Sequence, residues 1–116
     1  MKIWIDDIRP APDGYIWIKS VEEAKRCISI NEGLRLSIKD AIDKGYVEPF
    51  EQEKIEIINI DHDAGEYYKD GGDYINILNW LEEMGYNFPI HIHSMNPVGV
   101  SNMRAIIEKN DWKEIR

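Results

Sequence analysis

Cysteine, cationic charge and long apolar runs are all scarce in this sequence, and each scarcity closes a class of function. Cys27 is the sole cysteine, so no internal disulfide forms and the composition fits a reducing, cytoplasmic setting. Its helical surroundings make it core rather than a reactive thiol. Lysine and arginine number 14 against 22 aspartates and glutamates, a net charge of −8. So acidic a chain lacks the dense positive field on which duplex DNA and anionic membranes rely, although a focused local site can still take one phosphate. No apolar stretch approaches the roughly 20 residues of a membrane span, and Met1 to Asp7 do not form the apolar run of a secretory leader. P-loop, dinucleotide fingerprint, nucleophile elbow and paired CxxC motifs are missing as well.

What is present is an alternation of short apolar runs with helical patterns. Ile3 to Ile5, Tyr15 to Ile18, Ile55 to Ile60 and Ile90 to His93 are rich in β-branched or aromatic residues and end in polar or turn signals, as strands do. Ser20 with Glu23 forms a capping box before Val21, Ala24 and Ile28. A second helical segment places Leu34, Ile38, Ala41 and Ile42 on one face and stops near Gly45 and Pro49. Asp73 to Met84 carries Tyr74, Ile77, Leu78 and Leu81 at helical spacing, with Gly85 as its cap. Gly99 to Lys109 gives a last helix, and Trp112 to Ile115 a short edge strand. The expected architecture is a single α/β domain over residues 1–116 with a mostly parallel sheet and a helical elaboration at about 29–54. One step breaks the pattern. The nine residues between Ile5 and Tyr15 are too few for a crossover helix between parallel strands, so either an extended loop makes the crossover or the two strands are not ordinary neighbours.

In such sheets the carboxyl ends of neighbouring strands form the ligand crevice, and three strand ends here are polar. Ile3-Trp4-Ile5 runs into Asp6-Asp7, Ile57 to Ile60 into Asp61-His62-Asp63, and Ile90 to His93 into Ser94, Met95 and Asn96. Clustered carboxylates repel unless a cation or proton compensates them, so Asp6, Asp7, Asp61 and Asp63 read as ligands for a hard divalent cation, magnesium or manganese, with zinc an alternative. One of the Asp6-Asp7 pair could instead cap a turn while the other pairs with Arg9. Arg9 is either a bidentate phosphate clamp or an internal counter-ion. His91 and His93 alternate with isoleucines and project from one face of their strand, as a ligand pair or an acid and base pair would; His62 points elsewhere on an extended segment. Ser94 and Asn96 open the last helix, where free N–H groups attract phosphate, or Asn96 simply caps it. The aromatics Trp4, Trp17, Trp80, Tyr74 and Tyr86 read as core or rim.

Together Trp4-Ile5-Asp6-Asp7-Ile8-Arg9-Pro10, Tyr15 to Lys19, Ile60 to Asp63 and the HxHSxNPxG run from His91 to Gly99 resemble the cyclic-phosphate processing receiver domain family, a divergent branch of the response-regulator receivers. The resemblance implies a receiver-like, flavodoxin-like three-layer fold with a degenerate first crossover helix. It likens Asp6 and Asp7 to the receivers' acidic metal-binding pair, Asp61 to the phosphoacceptor and Ser94 to the phosphate-sensing hydroxyl. No lysine follows a clear last strand, Lys113 being a poor match, while His62, Asp63, His91 and His93 are additions. The expected function is therefore a metal-assisted phosphoesterase acting on a phosphate ester, a cyclic phosphate by family resemblance, with Asp61, His91 and His93 catalytic and Arg9, Ser94 and Asn96 on the phosphate. Its partner would be a small phosphate-containing ligand or an RNA or nucleotide end. Two alternatives stand beside it: a non-catalytic receiver-like signalling or phosphate- and metal-binding module, and a histidine and aspartate site for a transition metal without turnover.

Overall fold

The computed structural model describes residues 1–116. Four strands, β1 (Lys2–Ile5), β2 (Tyr15–Ile18), β3 (Ile57–Ile60) and β4 (Ile90–Ile92), form an all-parallel sheet in the order β2-β1-β3-β4. Helices α1 (Val21–Asp43), α2 (Ile75–Met84) and α3 (Pro97–Lys109) follow β2, β3 and β4, with a 3-10 turn at Gly65–Asp70. This is the α/β receiver-like architecture. Beyond β4 the chain adds a single parallel bridge, Ile90 to Glu114, where a short edge strand is expected.

Side chains alternate across each strand, and the two faces of the sheet differ sharply. Ile3, Ile5, Ile58, Ile60 and Ile90 are fully buried, and Ile18 nearly so. They pack in one core with Val21, Ala24 and Ile28 of α1, Ile77, Leu78 and Leu81 of α2, and Met103 and Ile107 of α3. All three helices thus lie side by side on that face. The opposite face carries Trp4, Tyr15, Trp17, Ile57, Asn59, His91 and His93, all half-buried. Its layer is thinner than the three-layer expectation: no helix covers it, and the residue 6–14 loop takes that place.

That loop also answers the short-connection question. β1 and β2 are ordinary parallel neighbours, in register from Lys2 with Tyr15 to Ile5 with Ile18, and an extended loop crosses between them. Two indoles of the open face hold it down, Trp4 Nε1 donating to Arg9 O at 2.8 Å and Trp17 Nε1 to Asp6 O at 2.7 Å.

The caps behave as their residues dictate. Ser20 Oγ accepts from Glu23 N at 3.1 Å, Glu23 reaches back to Lys19 N, and Asn96 accepts from Gly99 N at 3.0 Å with Pro97 at the first turn. The two expected helical segments between Val21 and Ile42 are one continuous helix, running through Gly33 to Asp43. Its core contact ends at Ile28: Ile30, Leu34 and Leu36 are 65, 57 and 69 % exposed.

Candidate metal and phosphate site

Because Ile5, Ile60 and Ile92 face the helices or their edge, the next residue on each of these strands turns to the open face. Those residues are Asp6, Asp61 and His93, and their donor atoms all lie within 4.8 Å of one another. Asp6 is 1 % exposed. Its Oδ1 accepts the backbone N–H groups of Ile8 and Arg9, both at 2.9 Å, while Oδ2 meets His93 Nε2 at 2.9 Å. Burial works against its charge, but the two N–H groups and His93 outweigh that, and the Asp6 pKa falls below the ordinary value. Asp61 accepts from His62 N at 2.8 Å through Oδ1; its other oxygen has no protein partner, although the residue is only 9 % exposed.

His93 is fixed on every side. Trp4 stacks on the ring at 4.0 Å and 6°, Nδ1 faces Asn59 Oδ1, and the backbone N–H donates to Ile60 O at 2.9 Å. Burial drives its pKa down, although Asp6 and Asp61 oppose the shift. Asp7 differs from Asp6: burial first, then Asp6 and Asp61, raise its pKa. Room for that carboxylate comes from Gly65, at φ +57°, where a Cβ would fall 2.2 Å from Asp7 Oδ2. Tyr74, fully buried and donating to Lys19 O at 2.7 Å, has its ionisation pushed far upward by burial and by Asp7, Asp6 and Asp61. The cation at this cluster is Arg9, whose Nη1 donates to His93 O at 3.0 Å and whose Nε lies 3.9 Å from Asp6; half its side chain remains exposed.

Other expected site residues gather elsewhere. His62 Nδ1 contacts Asp63 Oδ1 at 2.8 Å, and the donor atoms of His62, Asp63 and Asp73 form a separate group within 4.8 Å. Asp63 therefore stands apart from Asp6 and Asp61: β3 ends at Ile60, so the alternation that would bring residues 61 and 63 to one face no longer holds. The His62 ring lies on Gly99, where a Cβ would sit 2.5 Å from two of its carbons. Asn96, besides capping α3, points its amide nitrogen at Asp63 from 3.4 Å. Ser94 Oγ accepts from Asn96 N at 3.1 Å and borders a groove along α3 with Met95, Pro97 and Arg104. His91 shares a face with His93 but is bound to Ile115 O at 2.6 Å through Nδ1, one strand step short of the carboxylates.

A family profile, the cyclic-phosphate processing receiver domain, matches residues 1–109. The chain belongs to that family. No curated protein and no solved structure matches it. As a receiver domain associated with cyclic-phosphate processing, it keeps acidic residues at the ends of β1 and β3, and the exposed Lys113 only lends its backbone oxygen to Ile90 N.

Asn59, Gly65 and Asp73 are site residues with no site role expected from the sequence, and Trp4 is expected there only as a core or rim aromatic. Asn59 carries a usable signal: an amide at the open-face position of an otherwise all-isoleucine strand. Trp4 carries none that separates a ring stacked on an imidazole from a core aromatic.

Proposed function

We propose that this receiver domain is a metal-assisted phosphoesterase that opens or hydrolyses a phosphate ester, with a cyclic phosphate as the preferred class. The observation that carries the reading is the convergence of Asp6, Asp61 and His93 within 4.8 Å beside a half-exposed arginine. The residues that would hold a divalent cation are Asp6 and Asp61, completed by His93. Bound there, such a cation neutralises phosphate oxygens and acidifies a coordinated water.

The chain's own groups divide the remaining work. Arg9, anchored through Asp6 and the His93 carbonyl, offers its free guanidinium edge to phosphate oxygens. Burial and the like charges of Asp6 and Asp61 raise the pKa of Asp7, which suits it to take the proton of an attacking water. In ring opening, the water oxygen bonds to phosphorus, one ester oxygen leaves, and the proton passes to that oxygen, leaving a phosphomonoester. His91, held by Ile115 O, has no part in this scheme.

Phosphorus NMR on a panel of phosphomonoesters, phosphodiesters and 2′,3′-cyclic nucleotides, with added divalent metal or chelator, tests the proposal. Metal-dependent product that disappears in Asp61→Asn supports it; silence across the panel sinks it. A second reading draws on Asp61 alone, whose free oxygen stands at the end of β3 beside two aspartates: a phosphate-accepting signalling module. Labelling by a small phosphodonor, lost in Asp61→Asn, would mark that reading.

A further inference from the structure

We infer that the Asp6, Asp61 and His93 cluster is a nitrogen-containing centre that selects a transition-metal cation of the zinc and cobalt type over magnesium and calcium, with Asn59 and Trp4 holding His93 as the ligand. The inference rests on the cation-site reading above and adds the identity of the ion and two positioning residues.

The hydrogen-bond geometry of His93 leads to it. An amide oxygen accepts but cannot donate, so the Asn59 oxygen facing Nδ1 places the ring proton there. Nε2 then faces Asp6 Oδ2 at 2.9 Å, and in the neutral ring these are two acceptors in contact. A positive centre shared by both, a proton or a metal ion, makes that arrangement favourable. Adjacent ligands bound about 2.0–2.2 Å from one ion lie roughly 3 Å apart, and Asp6 Oδ2 and His93 Nε2 are 2.9 Å apart. Asp61 supplies a second indication: it is nine-tenths buried, keeps one oxygen free of any protein partner, and brings a carboxylate oxygen within 4.8 Å of the other two donor atoms.

Donor chemistry then decides the ion. Magnesium and calcium take oxygen ligands and gain little from an imidazole, whereas zinc and its transition-metal neighbours bind it well. An imidazole whose other nitrogen is held by a fixed acceptor is the usual outer support of such a ligand. Trp4, stacked at 4.0 Å, removes the ring's freedom to swing away, so the nitrogen is presented before any ion arrives.

The test is calorimetric titration of the whole chain with Zn²⁺, Co²⁺ and Mg²⁺, with the visible absorption of bound Co²⁺ as a second readout. Zn²⁺ should bind one site roughly 100-fold more tightly than Mg²⁺. His93→Gln, close in size and still able to fold, should weaken Zn²⁺ by about 100-fold and change the Co²⁺ spectrum, leaving Mg²⁺ nearly unaffected. Asn59→Leu should weaken Zn²⁺ about tenfold, and Asn59→Asp should restore it. His62→Ala, His91→Ala and Cys27→Ser exclude the other imidazole and thiol donors. Equal affinity for Mg²⁺ and Zn²⁺, unchanged Zn²⁺ binding in His93→Gln, or loss of Zn²⁺ with His62→Ala would each overturn the inference. Turnover supported by Mg²⁺ alone would also overturn it while leaving the phosphoesterase reading intact. Tight Zn²⁺ binding without turnover of any ester would sustain it and remove that reading.

Discussion

Asp6 and Asp7 are neighbours in the chain with opposite ionisation behaviour, and the contrast is measurable. Asp6 is compensated by two N–H groups and an imidazole; Asp7 is half-buried beside like charges. A carboxylate whose folded pKa is lowered contributes stability that is present above its unfolded value and lost as pH falls through the folded one. A raised pKa has the reverse sign, so ionised Asp7 destabilises the fold at neutral pH. In chelator at pH 7, Asp7→Asn should raise the melting temperature and Asp6→Asn should lower it; thermal denaturation of both checks this. His93 adds a second dependence. Its folded pKa lies below the ordinary imidazole value of about 6.5, so in metal-free protein stability falls as pH drops from about 6.5 toward the folded pKa, the unfolded chain binding the extra proton. Urea midpoints between pH 7.5 and 5.5 should show the slope in the wild type and lose it in His93→Gln. The carboxylates and His93 were legible as single residues, because polar groups ending apolar strands stand out. Asn59 and Trp4 were not, since their roles depend on which strand lies beside them.

At the scale of the element, the start of α3 shows how one glycine joins two parts of the molecule. His62 follows β3 and rests its ring on Gly99 in the first turn of α3, where a methyl group would sit 2.5 Å from the ring carbons. Gly99→Ala should displace His62, disturb its contact with Asp63, and destabilise the protein by about 1–3 kcal/mol, read from chemical denaturation. Helix starts were legible, because Ser20 and Asn96 are residue types that accept from free N–H groups. The continuity of α1 was not: a glycine inside a helix costs only about 1 kcal/mol, so Gly33 weakens the element without ending it. The 3-10 turn at Gly65–Asp70 lay beyond reach for a different reason, six residues being too short to show a period.

For the whole molecule, the asymmetry of the sheet sets where stability resides. Ile58 is fully buried against the helices, while Ile57, its neighbour in β3, lies half-buried on the face that only the 6–14 loop covers. Ile58→Ala should cost about 2–5 kcal/mol and Ile57→Ala clearly less; equal losses in denaturant titration would contradict a one-sided helical layer. The parallel sheet and its neighbours were legible from alternating strands and helices. The missing helix layer was only half legible: the nine-residue connection announced it, yet tryptophan and tyrosine at alternate positions of β1 and β2 look the same whether a helix or a loop lies over them.

The long helix α1 has a consequence for how the molecule breathes. At 23 residues it extends about 35 Å, but the core grips only its first two turns, through Val21, Ala24 and Ile28. Backbone amides in those turns exchange with solvent deuterium only when much of the protein opens. Beyond Ile28 each amide is released by local fraying, which needs far less energy. Hydrogen exchange followed by mass spectrometry should therefore divide one continuous helix near residue 29 into a slow and a fast cooperative unit, and a limiting protease should cut within the fast one while β1, β3 and the acidic cluster stay folded.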